Sequence, residues 1–395
     1  MKKVLFISWD GPQTSYMEGL FLPIFKEVNR LDKNIEIHVL QFTWATHEKI
    51  ESISTLAKKL GIAYCCVNIS RKPNRYIGSF VSVIRGRSLI KEYIRKNNIN
   101  IIMPRSTMPA IFINSIKTNK KILFDADGLA IEERVDFAGL SRKSCLYKFY
   151  CKQEKKILIR SSGIITRSEY AIEHHIKNIG EKHRDKFSVV QNGRDIEIFS
   201  PNDDYRLKSR KELNYSQNDI VFVYAGSLGN QYGWNEMMSI FEKFSFYNIN
   251  ARFLILTGDK QFAHTNLKDT QKNLITILSV PFAKVSYYLN SADYAFAIRE
   301  PKNSMRGVSP IKLGEYLLIG LPVIASAGIG DTEQILKKIS DSHILLNNSS
   351  QEIDKAVNFL IQNKKVDRND IRSIAVQHFS LKQAAINYIT AINRL

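Results

Sequence analysis

Ser309-Pro310-Ile311-Lys312-Leu313-Gly314-Glu315-Tyr316-Leu317-Leu318-Ile319-Gly320-Leu321-Pro322-Val323-Ile324 carries its own punctuation. The Ser309 hydroxyl can accept a hydrogen bond from an unpaired first-turn amide, which makes Ser309 the predicted N-cap. Pro310 then takes the first helical position, where its missing N–H is no loss. Gly320 suits the left-handed residue that closes a helix. The apolar run 321–326 reads as a short buried strand.

Lys312 is the odd residue in that helix. It falls in the first turn, where the helix dipole disfavours a cation. A bound anion removes the penalty, and a helix N-terminus is a ready phosphate site. Glu315 follows three residues later, so both side chains can face one ligand. A carboxylate there can hold the two hydroxyls of a ribose. The competing interpretation is a solvated Lys–Glu pair on an ordinary helix, which is common and worth little.

Working outward, strand-like runs alternate with helical patterns on both sides. Upstream in the C-terminal half they fall at 220–225, 252–256, 274–280 and 294–298, and one more follows at 343–346. The N-terminal half has its own series at 3–9, 36–42, 62–67, 99–103, 121–124, 163–166 and 187–190. A helical pattern is expected over 16–31, another over 351–363, and an amphipathic one over 381–395. Residues 201–219 read as a polar linker. Such alternation predicts parallel sheets covered by helices. The fold class is therefore α/β, with two Rossmann-like domains: 1–200, 201–380, and a closing helix 381–395. The first loop, Asp10-Gly11-Pro12-Gln13-Thr14-Ser15, lacks the full G-x-G-x-x-G pattern of a dinucleotide grip. Two doubly wound domains facing one another make a cleft suited to a small molecule.

Composition narrows the class. The chain has 395 residues, 44% apolar and 24% charged, enough for two real cores. Four cysteines, two of them the adjacent Cys65-Cys66, have no metal-ligand spacing, so a reducing cytosol is expected. The start, Met1-Lys2-Lys3-Val4, is too soon polar for a signal peptide, and no run reaches the roughly 18 apolar residues of a membrane span. The net charge is +19, and residues 58–96 carry ten basic side chains and one acidic. That bias predicts an anionic partner for the first half, either a membrane surface or nucleic acid. The helical segment 142–160 is basic too, with an apolar side that can pack on the sheet. His174-His175 has no zinc spacing and is expected on a helix surface.

Taken in order, these features resemble the retaining family 4 ("group 1") glycosyltransferases of GT-B fold, across nearly the whole chain. The family's Lys, its Glu three residues on and its G-x-P-V-I run match Lys312, Glu315 and the segment 320–324. Val190-Gln191-Asn192-Gly193-Arg194-Asp195, with Phe199 and Pro201, matches its N-G-x-D-x-x-x-F-x-P segment. Tyr224-Ala225-Gly226-Ser227 and Leu256-Thr257-Gly258-Asp259 resemble its first two C-domain turns. Two departures stand out. Gly307 occupies the position of the first Glu of the family's E-x7-E motif. The segment 227–233 lacks the Arg and Lys that many relatives place there.

The resemblance implies a site of the following composition. Lys312, the Ser309 hydroxyl and the amides of Gly307, Val308 and Ser309 would bind a diphosphate, with Gly226 and Ser227 at the glycine turn. Arg299, Arg306 and Lys260 are candidate further cations. Glu315 would hold the ribose, and Gly11 would let backbone approach the diphosphate. Asp127 is the candidate to orient or deprotonate the acceptor hydroxyl, with Asp125 and Glu133 as competitors. Asp125-Ala126-Asp127 has the form of a D-x-D metal motif, but no metal and no other cofactor is expected, because the C-terminal half already holds a nucleotide-sugar site. The implied activity is sugar transfer, with retention, from a UDP- or GDP-sugar to a lipid-linked glycan. The expected setting is surface-polysaccharide assembly on the cytoplasmic face of an anionic membrane, without nucleic acid. A degenerate relative, a nucleotide-sugar epimerase or phosphorylase, and a basic nucleic-acid-binding protein are the alternatives.

Overall fold

The computed structural model describes residues 1–12, 14–69, 75–362 and 366–395. Of the basic stretch 58–96, Arg71 and Lys72 lie outside the described residues. The chain forms two compact units, Met1–Gly193 with Leu381–Leu395, and Arg194–Ser380.

The first unit is built on a seven-stranded sheet. Its strands are β1 (Lys2–Asp10), β2 (Ile35–Thr43), β3 (Ala63–Asn68), β4 (Ile101–Pro104), β5 (Lys121–Asp127), β6 (Gly163–Thr166) and β7 (Phe187–Val189). They pair in the order β3-β2-β1-β4-β5-β6-β7, all parallel. Central strands covered on both faces must be apolar throughout, and Val4, Leu5, Phe6 and Ile7 are fully buried. The closing helix Leu381–Asn393 belongs to this unit and packs on helix Leu22–Leu31. Its Tyr388 ring stands 5.8 Å edge-on from Phe25, and the Lys2 ammonium donates to the Ile392 carbonyl at 3.1 Å.

Three expectations change here. The helix read over 16–31 is a π-helical turn at Met17–Phe21 followed by an α-helix at Leu22–Leu31. Pro23 lacks the amide hydrogen that a regular ladder would use, and the chain widens just before it. His175 is not on a surface. In helix Glu169–Ile179 it lies one turn beyond Ala171 and is fully buried, on the stripe with Ile172 and Ile176. Burial, with His174 beside it, pushes its pKa down to about 3, so the ring stays neutral. The basic helix Cys145–Arg160 spends part of its charge on local structure. Arg160 donates to the carbonyls of Ile113 (2.5 Å) and Ile116 (2.7 Å), and Lys156 to that of Asn114 (3.1 Å). These carbonyls end helix Thr107–Asn114, where cations are favoured.

The second unit holds β8 (Ile220–Ala225), β9 (Ala251–Leu256), β10 (Ile275–Leu278), β11 (Tyr294–Ala297), β12 (Val323–Ser326) and β13 (His343–Leu345). The six strands run parallel in the order β10-β9-β8-β11-β12-β13. The strand order reverses between β8 and β11, and in open α/β sheets ligands bind outside the carboxyl ends at such a switch point. The polar stretch expected as a linker contains a helix, Asp203–Glu212. The Asn202 side chain caps it by accepting from Tyr205 N–H at 2.9 Å. Its Arg210 is buried, and one guanidinium nitrogen donates to Asp293 at 2.6 Å. A further helix not expected from the sequence, Arg368–Phe379, precedes the return of the chain to the first unit. Among the described residues no helix is long and apolar enough to cross a membrane.

Candidate active site

The helix that carries Lys312 and Glu315 spans Ile311–Leu318. Pro310, not Ser309, stands at its N-cap, and no side chain caps it. Proline has no side-chain acceptor, so no side chain at the N-cap accepts from the first-turn amides of this helix. At the far end, Gly320 N–H donates to Leu317 O at 3.0 Å and Leu321 N–H to Tyr316 O at 3.0 Å. That pair of bonds is a Schellman cap, and Gly320 takes the left-handed conformation it demands, φ 78°. Leu313, Tyr316 and Leu317 are fully buried against β8, β11 and β12, which pins the first turn at the sheet's carboxyl edge.

Lys312 is held in an aromatic cage. Its ammonium lies 4.3 Å from the ring centroid of Tyr224 and 4.1 Å from that of Tyr232. It donates to the Tyr224 hydroxyl at 2.6 Å, and that hydroxyl donates onward to the Ser227 carbonyl. Burial, then the nearby Arg299 charge, pulls the Lys312 ammonium well below the usual lysine range, against Glu315 and Asp259, which favour its charge. Burial also raises the Tyr224 phenol, which stays neutral. The cage depends on Gly226, whose φ is 141°. A Cβ at that position would stand 2.0 Å from Lys312 Cε and 2.2 Å from Nζ. Gly226→Ala is therefore expected to evict Lys312 and, where this turn meets the diphosphate that the sequence resemblance implies, to weaken nucleotide binding about tenfold. Calorimetric titration with UDP checks this, and an unchanged affinity would remove Gly226 from the site.

Glu315 turns to a different partner from Lys312. Arg194 Nε donates to its Oε1 at 2.8 Å, and each side chain is only 8% exposed. Lys312 thus reaches the turn after β8, and Glu315 reaches the first residue of the unit.

The remaining expected residues divide. Arg299 is in the cluster. Its guanidinium lies 5.0 Å from the Tyr232 ring centroid, and its backbone is stapled to Ser326 through both N–H and carbonyl. Gly307 is buried in the 3-10 turn Asn303–Gly307. The Val308 amide is not available to a phosphate, because it donates to Met305 O at 3.3 Å as the turn closes. Arg306 and Lys260 are exposed, Arg306 beside the Gly328 turn and Lys260 at the start of helix Lys260–Asn266. Asp259 holds the glycine turn instead, accepting from Leu228 N–H at 2.9 Å. The sequence reading missed Tyr232 and Arg194. Tyr232 was legible as the one large aromatic in a loop of small polar residues, and Arg194 as a cation within the matched 190–195 segment.

In the first unit, Asp127 ends β5 with φ 63°. Arg105 donates to its Oδ2 at 2.6 Å, and Arg167 Nε to its Oδ1 at 3.2 Å. Burial alone would raise its carboxyl, but the two guanidinium groups hold it below the usual carboxylate range. Such a group is a weak proton acceptor and a good fixed acceptor of hydrogen bonds, and it keeps 29% of its side chain exposed. Asp125 is fully buried and takes Arg167 Nη2 at 2.6 Å. Both carboxylates of the D-x-D sequence are thus neutralised by arginine, a donor set that does not fit a divalent ion. Gly11 packs under Trp44, whose ring carbon would stand 2.8 Å from a Cβ there. Open cavities of about 620 and 500 Å³ lie elsewhere, one lined by Arg206, Tyr247 and Arg368, the other by Glu132, Tyr147 and Glu154.

No protein-family model matches the sequence, and no curated protein matches it. Solved structures do. The chain is similar to Anabaena HepE in complex with UDP and glucose, with a TM-score of 0.74, 14% identity and 100% of both chains covered. It is similar to sucrose-phosphate synthase from Thermosynechococcus elongatus, with a TM-score of 0.72, 14% identity and 100% and 98% covered. A glycosyltransferase from Rickettsia africae gives 0.69, 16% identity and 99% and 98% covered. The fold is therefore GT-B, two parallel-sheet α/β domains in one chain.

Proposed function

We propose that the protein is a retaining glycosyltransferase that moves a sugar from a UDP- or GDP-sugar to a hydroxyl of a lipid-linked glycan in surface-polysaccharide assembly. The observation that carries this reading is the caged Lys312, a desolvated cation at a helix start beside the glycine turn after β8. A group so placed gains most from a developing anion, and the departing diphosphate is that anion. UDP in the complex of the structurally similar HepE supports a nucleoside diphosphate as the ligand class. Glu315 would accept the ribose hydroxyls, and Arg299 would add charge to the diphosphate. Asp127, fixed by two arginines, would orient the acceptor hydroxyl. No metal is assigned a role. The basic first half would hold the enzyme at an anionic cytoplasmic membrane face, close to a lipid-linked acceptor.

A thermal-shift screen with UDP, GDP, ADP and CMP, run beside Glu315→Ala, tests the donor site. A rise in Tm with one nucleotide, lost in Glu315→Ala, is the expected result. No rise with any of them in the folded protein would overturn the transferase reading. Retention is tested by the anomeric proton signal of the first-formed product.

A further inference from the structure

We infer that Arg194 is a positioning residue for the donor: it fixes the Glu315 carboxylate so that the site reads the ribose 2′-hydroxyl. This rests on the nucleotide-sugar reading of the same site. A glutamate carboxylate turns easily about its last torsion, which is broad and roughly two-fold. An unanchored Glu315 would have to be frozen each time a ribose arrived, at a cost in affinity. Arg194 removes that freedom. Its Nε holds Oε1 at 2.8 Å, which fixes the carboxylate plane and orients the second oxygen. Guanidinium suits this role better than ammonium, because its donors are set in a rigid plane.

The arginine is itself anchored. Its guanidinium lies 5.9 Å from the Phe282 ring centroid. Its backbone N–H donates to Phe379 O at 2.7 Å, and its backbone bridges to Ser380. The Phe379 ring in turn lies against Gly314, where a Cβ would meet it at 2.8 Å. Gly314 neighbours Glu315, so the helix that carries the carboxylate also bears on the segment that carries its partner. Both side chains are nearly excluded from water, so the pair is little screened by salt. A ribose offers two hydroxyl donors to a carboxylate, and a 2′-deoxyribose offers one. Discrimination between them then depends on the carboxylate being held.

The test measures Kd for UDP, GDP and their 2′-deoxy counterparts by calorimetry. It compares the intact protein with Arg194→Lys and Arg194→Met, each also in a Glu315→Gln background. The intact protein is expected to prefer one ribonucleotide over its deoxy form by about tenfold, the value of one well-made hydrogen bond. Arg194→Met is expected to weaken the ribonucleotide about tenfold and the deoxynucleotide little, so the preference collapses toward one. In Glu315→Gln, changing Arg194 should no longer alter the preference. A preference that survives both Arg194 substitutions overturns the inference, since a merely structural role would weaken both nucleotides alike. If Arg194→Met does not fold, Arg194→Lys gives the same comparison. Binding of none of the four nucleotides by the intact protein would overturn the donor reading, and this inference with it.

Discussion

Lys312→Met is expected to lower kcat by about 10²–10³-fold, the loss typical of removing one preorganised group that stabilises transition-state charge. The same change is expected to leave the melting temperature unchanged or raise it. The two effects have one cause. The ammonium is buried between Tyr224 and Tyr232, and burial with Arg299 nearby pulls its pKa well down. A cation kept in that state is stored unfavourably, and an apolar side chain of similar length relieves the folded protein of it. An arriving anion adds to the partial support that Glu315 and Asp259 give the charge. Nucleotide binding should therefore raise the Lys312 pKa toward the ordinary lysine value. At any pH between its free and bound pKa, binding takes up a proton. Titration in two buffers of different ionisation enthalpy reads that uptake directly. Uptake should vanish in Lys312→Met. Equal apparent enthalpies in both buffers across the alkaline range, or a variant with normal kcat, would show that Lys312 does not meet the diphosphate.

The sequence and the structure agree where short-range physics decides. The strands are apolar runs bounded by turn residues, and β1 to β13 fall where those runs fall. Gly320 closes its helix because glycine takes a left-handed backbone at the least cost, and that is visible from one letter. Lys312 and Glu315 stood out because a cation in a first helical turn has no local reason to be there. What the sequence did not disclose was the choice of partners. Lys312 could have paired with Glu315 three residues away, yet it meets Tyr224 and Tyr232, which lie far away along the chain. Glu315 meets Arg194 across a separation of 121 residues. The helix Asp203–Glu212 was hidden for a related reason. It is almost wholly polar, so it lacks an apolar stripe, and its anchor is the buried Arg210–Asp293 pair rather than a hydrophobic face. Its local signals lie at its ends: the Asn202 cap, Asp203 and Asp204 in the first turn, and Arg210 and Lys211 in the last.

The second large effect belongs to the first unit and concerns stability. Arg167→Met is expected to destabilise the fold by about 3–5 kcal/mol, the range for removing one partner of a buried charge network. Arg167 is 2% exposed, and all three of its guanidinium nitrogens donate. Nη2 donates to Asp125 at 2.6 Å and to the Tyr388 hydroxyl at 3.3 Å, Nε to Asp127 at 3.2 Å, and Nη1 to Val190 O at 2.8 Å. Methionine fills the space but takes the paired cation from the buried Asp125, which keeps the Asp127 N–H at 3.1 Å and the Tyr388 hydroxyl at 3.2 Å, and takes the arginine donor from the Val190 carbonyl. Tyr388 lies on the closing helix, which should exchange its amide hydrogens faster in the variant, ahead of global unfolding. The pH dependence has a definite sign. Asp127 has its carboxyl held below its unfolded value, despite burial, by Arg105 and Arg167. Its contribution is present above about pH 4, the ordinary aspartate value, and is lost as pH falls below that. Removing Arg167 takes away one of the two cations that hold the Asp127 carboxyl down and leaves Arg105 in place, so the variant has less of this contribution to lose. The gap in unfolding free energy between the two proteins should therefore be widest near pH 7 and narrow toward pH 3. Urea titrations at several pH values measure it. A gap under about 1 kcal/mol, the scale of an exposed ion pair, or one that widens in acid, would show that these arginine–aspartate contacts do not hold the sheet edge together.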